Sequence, residues 1–250
     1  MTTRKVQNPN SKGGAGFVWA IVAVIAIALL VIGIIVYNGK NDRKEAIAEN
    51  MINVDGVTAT WEEGDDVVVL AAEGADDAPR ADLFEDFSCS YCADLEKETS
   101  EQMVEALKAG EIVVDLRPMV FLDGQKDAYT PGHSTRALAS TLALYAHNDV
   151  SAALNLRDHL YHNQEDVYNK VQYDDLADLA EGYGASAEAV QDIRDAKYEE
   201  AAKEMSDVNM KLQEERSGEA WTPRVMVDGK DLIEDGGDHT AWVEELKKQK

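Results

Sequence analysis

The spacing of apolar residues changes character several times along this chain. From Phe17 to Tyr37 (FVWAIVAVIAIALLVIGIIVY) it is unbroken, 21 residues without a charge or a proline. At about 1.5 Å rise per residue a helix of that length spans roughly 30 Å, the hydrocarbon thickness of a bilayer. Trp19 and Tyr37 stand near its two ends, where amphipathic rings favour the interface. The pattern predicts a single N-terminal transmembrane helix over 17–37, with a tail at 1–16 and a polar juxtamembrane spacer at 38–55. Arg4, Lys5 and Lys12 precede the run without an acid, while Lys40, Arg43 and Lys44 follow it, so charge alone does not orient it. A short basic tail ahead of an apolar run acts as an export signal, which makes the tail cytoplasmic and sends the rest across. Ala46-Ile-Ala48 has the form of a cleavage site, but it lies behind a charged cluster, so an uncleaved anchor is expected.

Beyond the spacer the runs shorten. Gly56 to Trp61, Val67 to Leu70 and Asp82 to Phe87 read as strands, with turn chemistry in Glu73 to Pro79. Leu95, Thr99, Met103 and Leu107 then recur at helical spacing up to a stop at Gly110. Glu111 to Leu122 returns to strand character, and Pro118 within it suggests an edge or a bulge. From 131 to 215 the spacing is helical throughout. Ser134 is expected to cap a helix bearing Leu138, Leu142 and Tyr145, Leu154 and Leu160 belong to a second, and Leu176 and Leu179 to a third. Ser186 opens a long fourth that carries Val190, Ile193, Ala201, Met205, Val208 and Leu212. Trp221 to Gly229 predicts a strand and an Asp228-Gly229 hairpin turn, answered by Asp231 to Glu234, and His239 to Lys248 a closing helix. The order is β-α-β, helices, β-β-α. It divides the chain into 56–130, a helical insert at 131–215, and 216–250.

Charge narrows the function. With 48 acids against 24 bases the net charge is −24, which excludes a nucleic-acid surface of the usual basic kind.

The chain has two cysteines, Cys89 and Cys92, at the first strand-to-helix junction. A thiol attacks disulfides as thiolate, and a helix N-terminus lowers thiol pKa through unpaired N–H groups and the positive end of its dipole. Cys89 lies just before the helix and is expected to be the nucleophile, with Cys92 in the first turn as the resolving thiol. A metal reading competes. It needs further ligands, and the candidates are His159 and His162, whose helical spacing fits surface or packing positions better. No metal and no cofactor are expected.

Glu85-Asp-Phe-Ser-Cys-Ser-Tyr-Cys92 resembles the D-F-x-C-P-Y-C signature of the DsbA-like thioredoxin-fold proteins. Ala78-Pro79 before the strand, Arg157 to Gln164 in the helical segment, and Thr222-Pro223 ahead of a short strand and Gly229 extend the likeness over roughly 55–248. The resemblance implies an α/β thioredoxin fold with an inserted helical domain. It implies a cis peptide at Pro223 in a loop facing the cysteines, where the Thr222 backbone pairs with a bound substrate beside Cys89. Ser90 and Tyr91, the spacer between the thiols, are expected to touch that substrate too.

Two positions depart from the family. The spacer lacks the usual proline and the histidine of the strongly oxidising members. The buried acid found in many relatives six residues before the first cysteine is here Leu83. Glu85, Asp86, Asp94 and Glu96 crowd the site, and their charge is expected to raise the thiol pKa.

The reading that follows is a membrane-anchored, single-pass thiol-disulfide oxidoreductase with its catalytic domain outside the cytoplasm. It would form disulfides in exported proteins and be recycled by a membrane redox partner. A reductase of the cytochrome-maturation type and a non-catalytic client- or metal-binding module are the alternatives.

Overall fold

The computed structural model describes residues 18–28, 30, 51–75, 77–234 and 236–249. The chain forms two units, Met1–Ala46 and Ile47–Lys250. In the first, 18–28 is helical (α1) and its apolar side chains, Trp19 and Val24 among them, are exposed. Apart from Leu30, which is exposed, the remainder of the expected anchor, the tail before it and residues 38–50 of the spacer lie outside the described residues. Among the described residues no helix is long and apolar enough to cross a membrane.

The second unit is built on a six-stranded sheet of order β1-β2-β4-β3-β5-β6. Its strands are β1 (Val57–Thr60), β2 (Val68–Ala72), β3 (Arg80–Glu85), β4 (Val113–Pro118), β5 (Arg224–Val227) and β6 (Lys230–Asp231). Only β3 and β4 are parallel, joined through α2 (Ser90–Lys108), and the other pairs are antiparallel. Strand periodicity of two sorts the side chains. Val68, Leu116, Leu83 and Val225 are successive partners across the sheet and belong to the main core. The alternate positions Phe84 and Met226 pack with Met119 in a separate cluster covered by Phe121, Met210 and Leu212.

α2 buries Leu95, Thr99, Met103 and Leu107, the face its spacing predicted, and Gly110 follows it at φ +66°. Trp242 of α9 (Trp242–Lys247) closes that side, fully buried, with its indole N–H donating to Thr99 Oγ1 at 3.1 Å. Burying a large apolar side chain of this kind stabilises by about 1.5–3 kcal/mol.

Between β4 and β5 run α3 (His133–Ala146), α4 (Val150–His162), α5 (Gln164–Val167), α6 (Tyr173–Gly182), α7 (Ala187–Arg194) and α8 (Glu199–Ser217). They share one core with the sheet, and 47–250 does not divide further.

Three local expectations change. β4 lies inside the sheet between β2 and β3, and Pro118 is tolerated because it is the strand's last residue. The long helix from Ser186 is two helices. Ser186 does cap α7, accepting from Ala189 N–H at 3.3 Å, but Ala196 adopts φ +52° and ends that run before Tyr198 turns inward. Ser134 does not cap α3. The Asp123 carboxylate does so from outside the helix, accepting from the N–H groups of Gly132 (2.9 Å), Ser134 (3.2 Å) and Thr135 (2.7 Å). That frees the Ser134 hydroxyl for the site.

Candidate active site

β3 ends at Glu85, and Asp86-Phe87-Ser88 turns the chain into α2. Cys89 is the N-cap, in extended conformation (φ −81°, ψ 117°), held by its N–H to Asp86 O at 2.9 Å. No side chain caps α2, so the first N–H groups remain available to sulfur. Gln164 of α5 fixes the turn from the other side, its Nε2 donating to Phe87 O (2.8 Å) and Cys89 O (3.1 Å). Phe87 itself stacks on Tyr161 at 4.9 Å.

Both thiols are free and buried. Across from them the Thr222–Pro223 peptide is cis, the geometry implied for that loop, and Cys89 Sγ donates to Thr222 O at 3.4 Å. The two sulfurs differ electrostatically. Hydrogen bonding from the Cys92 thiol holds Cys89 down at about 6 against the opposing cost of burial, helped by the Thr222 side chain and the backbone N–H groups of Cys92 and Tyr91. Burial first, and the Cys89 sulfur second, push Cys92 well above the ordinary thiol range. One thiol is a thiolate near neutrality and the other keeps its proton.

The expected rise in thiol pKa from the neighbouring acids does not occur, because three of the four are otherwise engaged. Arg157 of α4 enters with both prongs on Glu85, Nε to Oε1 at 3.0 Å and a terminal nitrogen to Oε2 at 2.5 Å, and pairs its other nitrogen with Glu96. All three side chains are buried, and burial pushes Glu85 up while Arg157 pulls it back. Asp86 is buried as well. Its carboxyl accepts from Ser134 Oγ (2.5 Å), Ser88 N (2.9 Å) and Leu122 N (3.1 Å), and burial raises it to about 7. Only Asp94 is exposed.

Of the spacer residues, Ser90 is the exposed first residue of α2 and Tyr91 presents its ring to solvent. Tyr91 and Leu95 form one wall of an apolar groove of about 450 Å³, with Asp94 and Glu98 on the same wall. Trp221, Thr222 and Pro223 form the opposite wall, next to His239 and Thr240. His159 packs edge-on against Tyr183, and His162 pairs with Asp158 at 3.1 Å. Among the described residues no group of three or more His, Cys, Asp or Glu side chains is placed to hold a metal ion.

Arg157, Gln164 and Asp123 were not singled out from the sequence as site residues, and Asp86 was read there only as a nearby charge. Arg157 carried a signal: it sits among Leu154, Leu156 and Leu160, and a cation on an apolar helical face requires buried acids as partners.

A family model described as Thioredoxin matches residues 69–247. The MdbA protein of Corynebacterium diphtheriae, a thiol-disulfide oxidoreductase, is 35% identical with a TM-score of 0.72, over 80% of this chain and 98% of that one. The MdbA protein of Corynebacterium matruchotii, also a thiol-disulfide oxidoreductase, is 30% identical with a TM-score of 0.73, over 82% and 98%. Oxidised DsbA of Mycobacterium tuberculosis shares the fold at 19% identity and a TM-score of 0.53, over 67% of this chain and 81% of that one. No curated protein matches the chain. The chain belongs to the thioredoxin family. Within it, the chain is an enzyme of the DsbA-like thiol-disulfide oxidoreductase kind.

Proposed function

We propose that this protein forms disulfide bonds in exported polypeptides, working outside the cytoplasm from a single N-terminal membrane anchor. The observation that carries the direction is the asymmetry of the two thiols. A dithiol whose reduced form is stabilised as thiolate holds its disulfide less tightly and gives it away more readily. A Cys89 pKa of about 6 instead of 9 stabilises the reduced form at pH 7 by about 1.4 kcal/mol, or about 30 mV for two electrons.

In the forward reaction a client thiolate attacks Sγ of Cys89 in the Cys89–Cys92 disulfide. The S–S bond breaks, Cys92 leaves and takes up a proton, and a mixed disulfide joins Cys89 to the client. A second client thiolate then attacks the client sulfur of that bond and expels Cys89 as thiolate. The client is oxidised by two electrons, which reside in the Cys89/Cys92 dithiol until a membrane electron acceptor removes them. Thr222 O, 3.4 Å from Cys89 Sγ, lies where an extended client backbone would pair. Tyr91, Ser90 and Pro223 border the same approach. The location rests on the 17–37 apolar run and on the persistence of disulfides outside the cytoplasm.

The test is trapping. Cys92→Ala should accumulate client-linked mixed disulfides at Cys89, and Cys89→Ser should accumulate none. Client capture that survives Cys89→Ser with no exchange activity in the intact protein would instead indicate a non-catalytic binding module.

A further inference from the structure

Resting on that reading, we propose that the groove beside Cys89 selects client segments carrying basic side chains two and four residues from the reacting cysteine. Asp94 and Glu98 stand one helical turn apart on the exposed face of α2, and neither has an ion-pair partner among the described residues. Between and beside them the wall is apolar, formed by Tyr91 and Leu95. The opposite wall is Trp221, Thr222 and Pro223, and Thr222 O lies 3.4 Å from Cys89 Sγ, so the groove opens directly from the reacting sulfur.

The spacing sets the register. Asp94 and Glu98 lie five and nine residues beyond Cys89, so they stand about 7.5 and 13.5 Å along the helix axis. An extended client advances about 3.3 Å per residue with alternate side chains on one face. Its second and fourth residues from the cysteine therefore come level with the two carboxylates, both on the cysteine's side. The aliphatic stem of a lysine or arginine lies against apolar wall while its charge reaches the acid. The exposed Tyr91 ring offers a further face for a cation, whereas Trp221 is already covered by Arg224 at 4.8 Å. A second copy of this chain fits poorly, since a two-fold contact would set Asp94 and Glu98 against themselves. The groove takes a basic, cysteine-bearing polypeptide.

The whole chain, at −24, attracts any cation, so the experiment must hold peptide charge constant. Cysteine peptides of identical composition are reacted with the oxidised full-length protein in non-ionic detergent at low ionic strength. In one set the lysines lie two and four residues from the cysteine, on either side in separate peptides. In the other they lie eight and ten residues away. Two exposed ion pairs predict about a fivefold faster attack for a near-lysine peptide. Asp94→Asn with Glu98→Gln should bring that ratio to one, and Asp94→Lys with Glu98→Lys should take it below one. Equal rates with the wild type overturn the proposal while leaving disulfide exchange standing; no reaction with any peptide overturns both. A sedimenting dimer that the Asn/Gln pair tightens and Tyr91→Glu disperses would assign the groove to a second copy and overturn it as well.

Discussion

Arg157 of α4 grips Glu85, the last residue of β3, through two nitrogens, in a pair of residues only 3% exposed each. This contact ties the helical insert to the strand that delivers the cysteines, and its third arm on Glu96 ties in α2. Without the guanidinium two carboxylates would be left buried. Arg157→Met should therefore lower the unfolding free energy by about 3–5 kcal/mol in urea titration. Adding Glu85→Gln and Glu96→Gln should restore a large part of it. A loss under 1 kcal/mol for the single variant would show that the pair is not desolvated as described.

The Cys89 thiol makes its own prediction. Its alkylation rate in the reduced protein should rise with pH through an inflection near 6. Cys92→Ala removes the first cause of that low value and should move the inflection upward. Because the folded-state pKa lies below the unfolded one, the thiolate's contribution is complete above the unfolded value near 9 and is lost as pH falls through about 6. The reduced form should thus gain stability over the oxidised form between pH 6 and 9. An inflection above 8 in the wild type would refute this.

Asp86 has the opposite sign. Its carboxyl is raised to about 7, so its contribution is complete below the unfolded value near 4 and is lost as pH climbs through 7. Asp86→Asn keeps an acceptor for the turn and does not ionise. Between pH 5 and 8 the wild type should lose stability relative to this variant by an amount on the order of 2–3 kcal/mol, read from unfolding midpoints. A difference that stays flat with pH would show that Asp86 is ionised throughout.

The α3 cap is testable by deletion. Asp123→Ala leaves the N–H groups of Gly132, Ser134 and Thr135 without their carboxylate and should cost about 2 kcal/mol. Gly132→Ala should also destabilise, because a Cβ there would come within 2.4 Å of Asp123 Oδ1. Unchanged melting temperatures for both would remove Asp123 from the cap.

These residues also mark where the sequence stops being legible. The α2 face was readable because Leu95, Thr99, Met103 and Leu107 follow the helical period, and the Asp228-Gly229 turn because both residues adopt the positive φ its hairpin requires. The cysteines announced their helix N-terminus by position. What failed depended on distance in space. Ser134 has the chemistry of a cap, yet a carboxylate eleven residues earlier outcompetes it, and Ser134 turns to Asp86. The acids near Cys89 looked like an obstacle to a thiolate, because nothing local says that Arg157, 72 residues from Glu85, arrives to neutralise them. The break at Ala196 lay hidden because apolar spacing continues across it.

The central claim is that this dithiol donates oxidising equivalents. The most direct measurement is the reduction potential of the Cys89/Cys92 pair in the full-length protein, equilibrated in glutathione buffers at pH 7 and read by alkylation mass shift. The thiol asymmetry predicts a value above the thioredoxin region of about −270 mV by some tens of millivolts, in the direction of the oxidising region near about −120 mV. A value at or below about −270 mV would contradict the account and mark the protein as an electron donor.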